Sequence, residues 1–135
     1  MILRHSHSTI YVVDQERAKA FYTEKLGLEL REDAKLGNFR WLTVAPKAQP
    51  DACMVLFPIA AGPLMTEEQA AALRTLVEAG VLGGGVLQTD DCRRDYDELR
   101  ARGVEFRREP KEMPYGIEAL FRDDSGNLFS LTQRR

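Results

Sequence analysis

Apolar and polar side chains alternate over residues 5–13, and apolar positions then recur at three- and four-residue steps. Alternation is typical of a strand with one buried face, whereas the longer steps are typical of an amphipathic helix. Asp14 is suited to cap the start of this helix, and Gly27 is suited to end it in the left-handed conformation. The pattern therefore predicts a strand, a helix and a glycine stop in direct succession. The apolar positions of the helix are Ala18, Phe21, Tyr22 and Leu26.

Three strand-like segments follow this helix. A short strand begins over residues 28–30, and a second covers residues 39–45 after a turn. Residues 52–57 form a continuous apolar run that Pro58 ends, which is typical of a strand buried on both faces. The first part of the chain therefore predicts one βαβββ unit.

Residues 83–135 repeat this order of elements. Asp90 or Asp91 is placed to cap a second helix, and Gly103 is placed to end it. The two halves are offset by 77 residues between the capping aspartates Asp14 and Asp91 but by 76 residues between the stop glycines, so the second helix is one residue shorter. The elements predicted after it are a short strand (104–106), a charged loop (107–112), a strand (117–122), a turn (123–127) and a final strand (128–132). Such a duplication predicts two modules that pair to form one curved surface.

A linker with a helix of its own joins the two repeats. Thr66 and Gln69 have the spacing of a capping box, which predicts a helix over residues 66–79. We expect this helix to be a connector packed over a sheet edge, and a lid over a binding pocket is the alternative. The predicted organisation is a single domain, residues 1–135, with a first module (5–57), the linker (58–82) and a second module (83–135).

Composition narrows the class of protein. The net charge of −2 comes from interspersed charges of both signs, so we expect no nucleic-acid partner, which would require a clustered basic face. No apolar run approaches the ~20 residues of a membrane helix. The first residues also lack the apolar segment of a secretory signal, so we expect a cytoplasmic protein with no membrane partner. Cys53 and Cys92 have no metal-type spacing and are interpreted as buried or incidental thiols.

These segments resemble the vicinal oxygen chelate superfamily, which includes glyoxalase I, extradiol dioxygenases, fosfomycin-resistance enzymes and bleomycin-resistance binding proteins. The matching residues are His7 with Asp14, Phe21-Tyr22 with Leu26-Gly27-Leu28, Asp91 through Leu99 to Gly103-Val104, and Arg122-Asp-Asp-Ser-Gly-Asn-Leu128. The resemblance implies an α+β fold in which paired βαβββ modules form a U-shaped, curved mixed sheet with helices on the convex side, commonly in a homodimer. It does not identify a reaction, because one fold supports many functions.

Enzymes that this chain resembles bind a divalent metal on the concave face, and the resemblance indicates where the ligands would be. His7 occupies the position on the first strand. The corresponding residue of the second half is Gly84, and the last-strand position is Ser130 where an enzyme has glutamate. The equivalent position of the first half falls near Val55. A single imidazole does not hold a catalytic metal, which typically needs about three protein ligands, so we predict no metal and no cofactor.

The same concave surface retains groups that are suited to binding. Aromatic rings supply stacking area, and hydroxyl and imidazole groups fix the orientation of a ligand. The glycines at 83–85 would either leave room for a ligand or form a flexible end to the linker. The residues predicted to contact a small molecule are His7, Thr9, Trp41, Gly84, Tyr115 and Ser130. No residue is assigned a catalytic role.

The sequence thus predicts a homodimeric, metal-independent protein that resembles the bleomycin-resistance proteins and sequesters an aromatic or amphipathic metabolite or antibiotic. The alternative is a metal-dependent enzyme, either a lactoylglutathione-lyase-like lyase or isomerase or a dioxygenase. In that case Glu105, Glu118 or Gln133 would have to supply the missing oxygen ligands. Saturable binding without metal and metal-dependent turnover are the observations that distinguish the two.

Overall fold

Eight strands and three helices make up the chain, and a computed structural model describes all of residues 1–135. The strands are β1 (His7–Val12), β2 (Glu29–Leu36), β3 (Phe39–Ala45), β4 (Cys53–Pro58), β5 (Gly83–Gln88), β6 (Glu105–Met113), β7 (Gly116–Arg122) and β8 (Leu128–Arg134). The helices are α1 (Gln15–Ala20), which a π-helical turn (Phe21–Lys25) continues, α2 (Glu67–Glu78) and α3 (Cys92–Ala101).

The strands form two four-stranded mixed sheets with the same topology. The first sheet has the order β1-β4-β3-β2 and the second has the order β5-β8-β7-β6. In each sheet the first strand of the repeat pairs parallel with the last, and the remaining pairs are antiparallel. This arrangement confirms the predicted α+β fold with two βαβββ repeats.

The chain divides into two compact units, residues 1–74 and 75–135, and each contains one of the sheets. Helix α1 packs on the first sheet and helix α3 packs on the second. No helix combines the length and the hydropathy that crossing a membrane requires.

The helix starts lie where the sequence predicts them. Asp14 and Asp91 are extended N-cap residues whose side chains accept hydrogen bonds from the backbone N–H three residues later. At α2, the Thr66 N–H donates to Gln69 Oε1 at 3.0 Å and the Gln69 N–H donates to Thr66 Oγ1 at 3.1 Å. This reciprocal pair is the predicted capping box. The glycines that follow the three helices all have positive φ, as a left-handed helix end requires, and they are Gly27, Gly80 and Gly103.

The one-residue difference between the two repeats has a structural explanation. In the first repeat the Leu26 N–H donates to the Phe21 carbonyl at 3.0 Å, which is the five-residue step of a π-helix. Helix α3 has no such turn. The extra residue of the first repeat is therefore accommodated in a π-helical turn, and the helix of each repeat is still followed by a glycine.

The prediction of a charged loop over residues 107–112 is wrong. Strand β6 continues through these residues to Met113 and pairs with β7 across two register shifts. Strand β2 likewise extends to Leu36, well beyond the short strand predicted at residues 28–30. Both are outer strands of their sheets, where charged side chains reach solvent on the exposed positions. Pro110 is tolerated in β6 because an edge strand does not need every N–H for its ladder.

Each sheet has its core on the face that its helix covers. In the first unit Leu42, Val44 and Leu56 are fully buried together with Tyr22 of the π-helical turn. In the second unit the rings of Phe121 and Phe129 are stacked with centroids 5.3 Å apart, and both residues are fully buried. The other face of each sheet is opposite its helix, and we call it the helix-free face.

The turn before β8 is held by one side chain. Asp123 Oδ1 accepts hydrogen bonds from the backbone N–H groups of Ser125, Gly126 and Asn127 at 2.8–2.9 Å. The residue is buried and serves this turn. Asp123 is thus a structural residue, and the turn predicted over residues 123–127 is confirmed.

Candidate functional site

The helix-free face of the first sheet carries a group of aromatic side chains. Ile10 and Val12 of β1 are buried on the helix side, so the alternating residues His7, Thr9 and Tyr11 point to the opposite side. The register of β1 with β4 and of β4 with β3 places further rings on this face. We call the resulting group the aromatic face, and its members are His7, Tyr11, Phe39, Trp41 and Phe57.

The rings of the aromatic face contact one another across three strands. The His7 and Trp41 ring centroids are 5.5 Å apart, and those of Phe39 and Phe57 are 5.1 Å apart. Tyr11 meets Phe57 edge-on at 5.7 Å. His7 is exposed and the other four are partly exposed. The first sheet therefore presents a continuous, accessible set of rings on strands that fix their positions.

Two polar contacts orient members of this face. The indole N–H of Trp41 donates to Glu32 Oε1 at 3.2 Å, and Ser6 Oγ lies 2.8 Å from His7 Nδ1. Thr9 is exposed beside them on β1. The three residues of the first repeat that the sequence predicts for the site, His7, Thr9 and Trp41, are thus brought to one face of one sheet.

The helix-free face of the second sheet carries a hydrogen-bonded polar cluster, formed by Arg108, Tyr115, Glu118, Ser130 and Thr132. Glu118 lies at its centre. Its Oε1 accepts from Arg108 Nη2 at 2.6 Å and from the Tyr115 hydroxyl at 2.7 Å, and its Oε2 accepts from Ser130 Oγ at 2.6 Å. Ser130 Oγ also lies 2.6 Å from Thr132 Oγ1. Two predicted contacts, Tyr115 and Ser130, belong to this cluster.

The direction of the hydrogen bonds in the polar cluster follows from the number of protons. An ionised carboxylate only accepts, so Ser130 must donate its one hydroxyl proton to Glu118. Thr132 must then donate its own hydroxyl proton to Ser130. The chain of hydroxyl groups therefore runs from Thr132 through Ser130 to the carboxylate.

The ionisation of the polar cluster supports this direction. Burial raises the pKa of Glu118, but hydrogen bonds from Ser130, Tyr115 and Arg108, with the charge of Arg108, outweigh burial and leave the pKa below its usual value. The hydrogen bond to the Glu118 carboxylate raises the pKa of Tyr115. Glu118 is thus a carboxylate and Tyr115 a neutral phenol near neutral pH.

Gly84 lies apart from both groups. A Cβ atom at this position would lie 2.2 Å from the Phe129 ring, which belongs to the buried core under α3. The room that the glycine provides is therefore taken by Phe129. Strand β5 has a register shift between Gly83 and Gly85, which lets the backbone approach this ring.

Six residues of these two groups are not among the predicted ligand contacts. They are Tyr11, Phe39, Phe57, Arg108, Glu118 and Thr132. Glu118 has a recognisable signal in the sequence. It is an acidic residue in a strand, and strand alternation places it on the face opposite to the buried Ala119 and Phe121. Arg108 could not be placed, because the strand that carries it was interpreted as a loop.

The residues present do not fit a divalent metal site. Gly84 offers no donor atom and its neighbouring space is filled. The Ser130 hydroxyl is committed to Glu118, whose two oxygens already accept three hydrogen bonds. Of the alternative donors, Gln133 Oε1 accepts from the Cys92 N–H at 3.0 Å at the start of α3. Nowhere in the chain do three or more His, Cys, Asp or Glu side chains group in a way that could hold a metal ion.

The fold and the family comparison agree. The chain belongs to the glyoxalase/bleomycin resistance protein/dioxygenase superfamily, whose family model matches residues 4–131. This confirms the resemblance on which the sequence analysis relied.

Similar proteins include solved structures and a curated relative. The crystal structure of UcmS2 is 52% identical, covers 98% of each chain and superposes with a TM-score of 0.93. TnmS3, an antibiotic binding protein from Streptomyces sp. CB03234, is 36% identical over 99% of this chain and 98% of its own, with a TM-score of 0.78. YurT of Bacillus subtilis (strain 168) is 33% identical over 127 residues, which cover 94% of this chain and 96% of YurT.

Proposed function

We propose that this protein binds a small aromatic or amphipathic molecule, a metabolite or an antibiotic, on the aromatic face and sequesters it without a metal ion. The observation that carries the proposal is the accessible ring set on the helix-free face, with His7 and Trp41 in contact at 5.5 Å. Rigid rings on neighbouring strands give a planar guest a large contact area at low entropic cost.

The similar structures support the same kind of ligand. TnmS3 is an antibiotic binding protein, and it is 36% identical to this chain over nearly the full length of both. A shared fold alone would not justify the transfer. The proposal therefore depends on the aromatic face of this chain, and the relative only narrows the class of ligand.

Metal-independent binding is part of the proposal. It is supported by the donor set, since the carboxylate of Glu118 already takes an ion pair at 2.6 Å and two hydroxyl hydrogen bonds. A catalytic metal typically needs about three protein ligands with free lone pairs. The groups on the two helix-free faces are instead arranged for stacking and hydrogen bonding.

We further propose that the protein acts as a homodimer in the cytoplasm. Self-association is supported by apolar side chains that the single chain leaves exposed, among them Ile2, Leu3 and Val86. A reducing compartment is supported by the two free thiols, Cys53 and Cys92. Light scattering in solution tests the dimer, and a monomer across the micromolar range would contradict it.

The test of the binding proposal is calorimetric titration with planar aromatic compounds, beginning with 2-methoxynaphthalene, which donates no hydrogen bond. We expect saturable binding to the wild-type protein and a loss of about fivefold or more in affinity for Trp41→Leu, because stacking is removed. Tyr96→Leu is the matched control, since Tyr96 lies on α3 and its ring packs on Phe106 with centroids 4.6 Å apart, away from the aromatic face. Equal affinity of the wild type and Trp41→Leu, or no saturable binding, would contradict the proposal.

A further inference from the structure

Tyr115 differs from the other partners of Glu118 in how it is held. Arg108 and Ser130 lie on β6 and β8, the two strands that flank Glu118 on β7, so the sheet fixes both. Tyr115 instead lies in the turn between β6 and β7, and 45% of it is exposed. Its hydroxyl is the one hydrogen-bond donor to the carboxylate that enters from outside the strands. It can leave without disturbing the sheet.

Only another hydrogen-bond donor can take the place of the Tyr115 hydroxyl. Glu118 Oε1 accepts from the Tyr115 hydroxyl at 2.7 Å, and the Ser130 proton is already committed to Oε2. A carbonyl or ether oxygen in the place of Tyr115 would leave a partly buried carboxylate oxygen facing another acceptor. Any replacing group must therefore carry an O–H or N–H.

The charges around Glu118 favour a neutral donor. Arg108 Nη2 lies 2.6 Å from the same Oε1 atom, so an incoming ammonium group would be repelled by the guanidinium. An incoming carboxylate would be repelled by Glu118 itself. A neutral hydroxyl meets neither penalty, and an acidic phenol donates more strongly than an alcohol.

We propose that Glu118 binds the hydroxyl group of a phenolic ligand in the position that the Tyr115 hydroxyl holds in this structure, and that the ligand displaces Tyr115. The inference goes beyond the proposed function, because it assigns a second site on the helix-free face of the second sheet, and it names the ligand class of that site as neutral phenols. Tyr115 is itself a phenol, so its departure vacates a space of that shape next to the carboxylate. The residue acts as an internal competitor, and Glu118 is the specificity-determining residue.

The experiment compares 2-naphthol with its methyl ether, 2-methoxynaphthalene, by calorimetric titration of the full chain. We expect wild-type protein to bind 2-naphthol more tightly than the ether. Tyr115→Phe removes the competing hydroxyl but keeps the ring, so it raises the affinity for 2-naphthol by about two- to tenfold, the range of one net hydrogen bond. Glu118→Gln removes the carboxylate and brings 2-naphthol down to the affinity of the ether.

The control is Tyr96→Phe, which removes a hydroxyl that accepts from Arg100 Nη1 at 3.1 Å on α3, away from Glu118. It should change neither affinity. Ring-proton NMR signals of Tyr115 should shift on addition of 2-naphthol beyond any shift that the ether produces. Because Tyr115→Phe changes an exposed side chain, its result decides the question even if Glu118→Gln folds poorly.

Two patterns of results would overturn the inference while leaving the proposed function intact. One is equal affinity of the wild type for both probes with no response to Tyr115→Phe. The other is a loss of affinity for both probes in Tyr115→Phe, which would mean that Tyr115 contributes to binding instead of competing with the ligand. Failure of both probes to bind the wild type would instead contradict the proposed function, and the inference with it.

Discussion

Glu118 is the central residue of the polar cluster on the helix-free face of the second sheet. Its carboxylate accepts hydrogen bonds from Arg108 on β6, from Ser130 on β8 and from Tyr115 in the turn between β6 and β7. The carboxylate stabilises the fold only while these partners are present, because a partly buried charge without partners is unfavourable. The polar cluster therefore contributes to stability as well as to the proposed recognition of a ligand.

The loss of folding stability caused by Glu118→Gln should depend on pH. The fold lowers the pKa of Glu118 from its ordinary value of 4.5, so the unfolded chain takes up a proton at this residue first as the pH falls. The stability that the carboxylate contributes is thus complete above that value and disappears below it. Urea unfolding should show Glu118→Gln less stable by about 1–3 kcal/mol at pH 7.

The difference between the two proteins should shrink as the pH falls below 4.5. Comparing wild type with variant removes the contribution of other acidic groups, such as Asp33, whose hydrogen bonds to Arg40 and Lys19 keep its pKa well below the usual range. A difference that stayed constant between neutral and acidic pH would show that the Glu118 charge does not stabilise the fold.

Individual residues were predictable to different degrees. His7, Trp41 and Ser130 lie on the two helix-free faces because strand alternation and register follow from the sequence pattern. Tyr115 lies in the turn before β7, so its contact with Glu118 does not follow from strand alternation. Gly84 could not be predicted in the same way. The register shift beside it turns its α-carbon toward Phe129, and a bulge has no reliable signal in a single sequence.

At the scale of elements, the two repeats share a topology but differ in what their helix-free faces carry. The first presents aromatic rings and the second presents a charged hydrogen-bonded cluster. In the second repeat the rings lie on the other side, where Phe106, Phe121 and Phe129 pack under α3 and Tyr96 of α3 packs on Phe106. The duplication has therefore kept the backbone while the exposed surfaces have become chemically distinct.

The helices were predictable because their ends carry local signals, and the outer strands were not. Caps and stop glycines act within a few residues of themselves. Strand β6 has a charged sequence and no simple alternation, because two register shifts interrupt its pairing with β7. Its strand conformation is imposed by that partner, which lies close only after the chain has folded.

The charged side chains of β6 should keep this edge from pairing with other chains. Glu109 and Lys111 are exposed on the edge strand, so the double substitution Glu109→Val and Lys111→Val should promote association between molecules. Light scattering during incubation near the unfolding temperature should show faster aggregation than in the wild type.

The matched control for this prediction is Arg93→Val with Glu98→Val, which also removes one acid and one base but from exposed positions of α3. A helix surface offers no unpaired strand edge. Equal aggregation of the two double variants would mean that added hydrophobicity, and not the strand edge, is responsible.

At the scale of the whole molecule, the chain keeps the fold of its superfamily and lacks a set of side chains that fits a metal. Family membership is carried by residues 4–131 and by the shared topology of two sheets. The metal positions that the resemblance implies contain Gly84 and Ser130. Their chemistry and their contacts favour binding over metal-dependent turnover.

The most direct measurement is therefore calorimetric titration of 2-methoxynaphthalene into protein before and after exhaustive dialysis against a chelator. We predict the same dissociation constant in both cases, with no change on adding Mn²⁺, Fe²⁺, Ni²⁺ or Zn²⁺. Loss of binding on chelation, with recovery on adding one of these ions to the wild type but not to His7→Ala, would contradict metal-independent binding and favour the enzyme alternative.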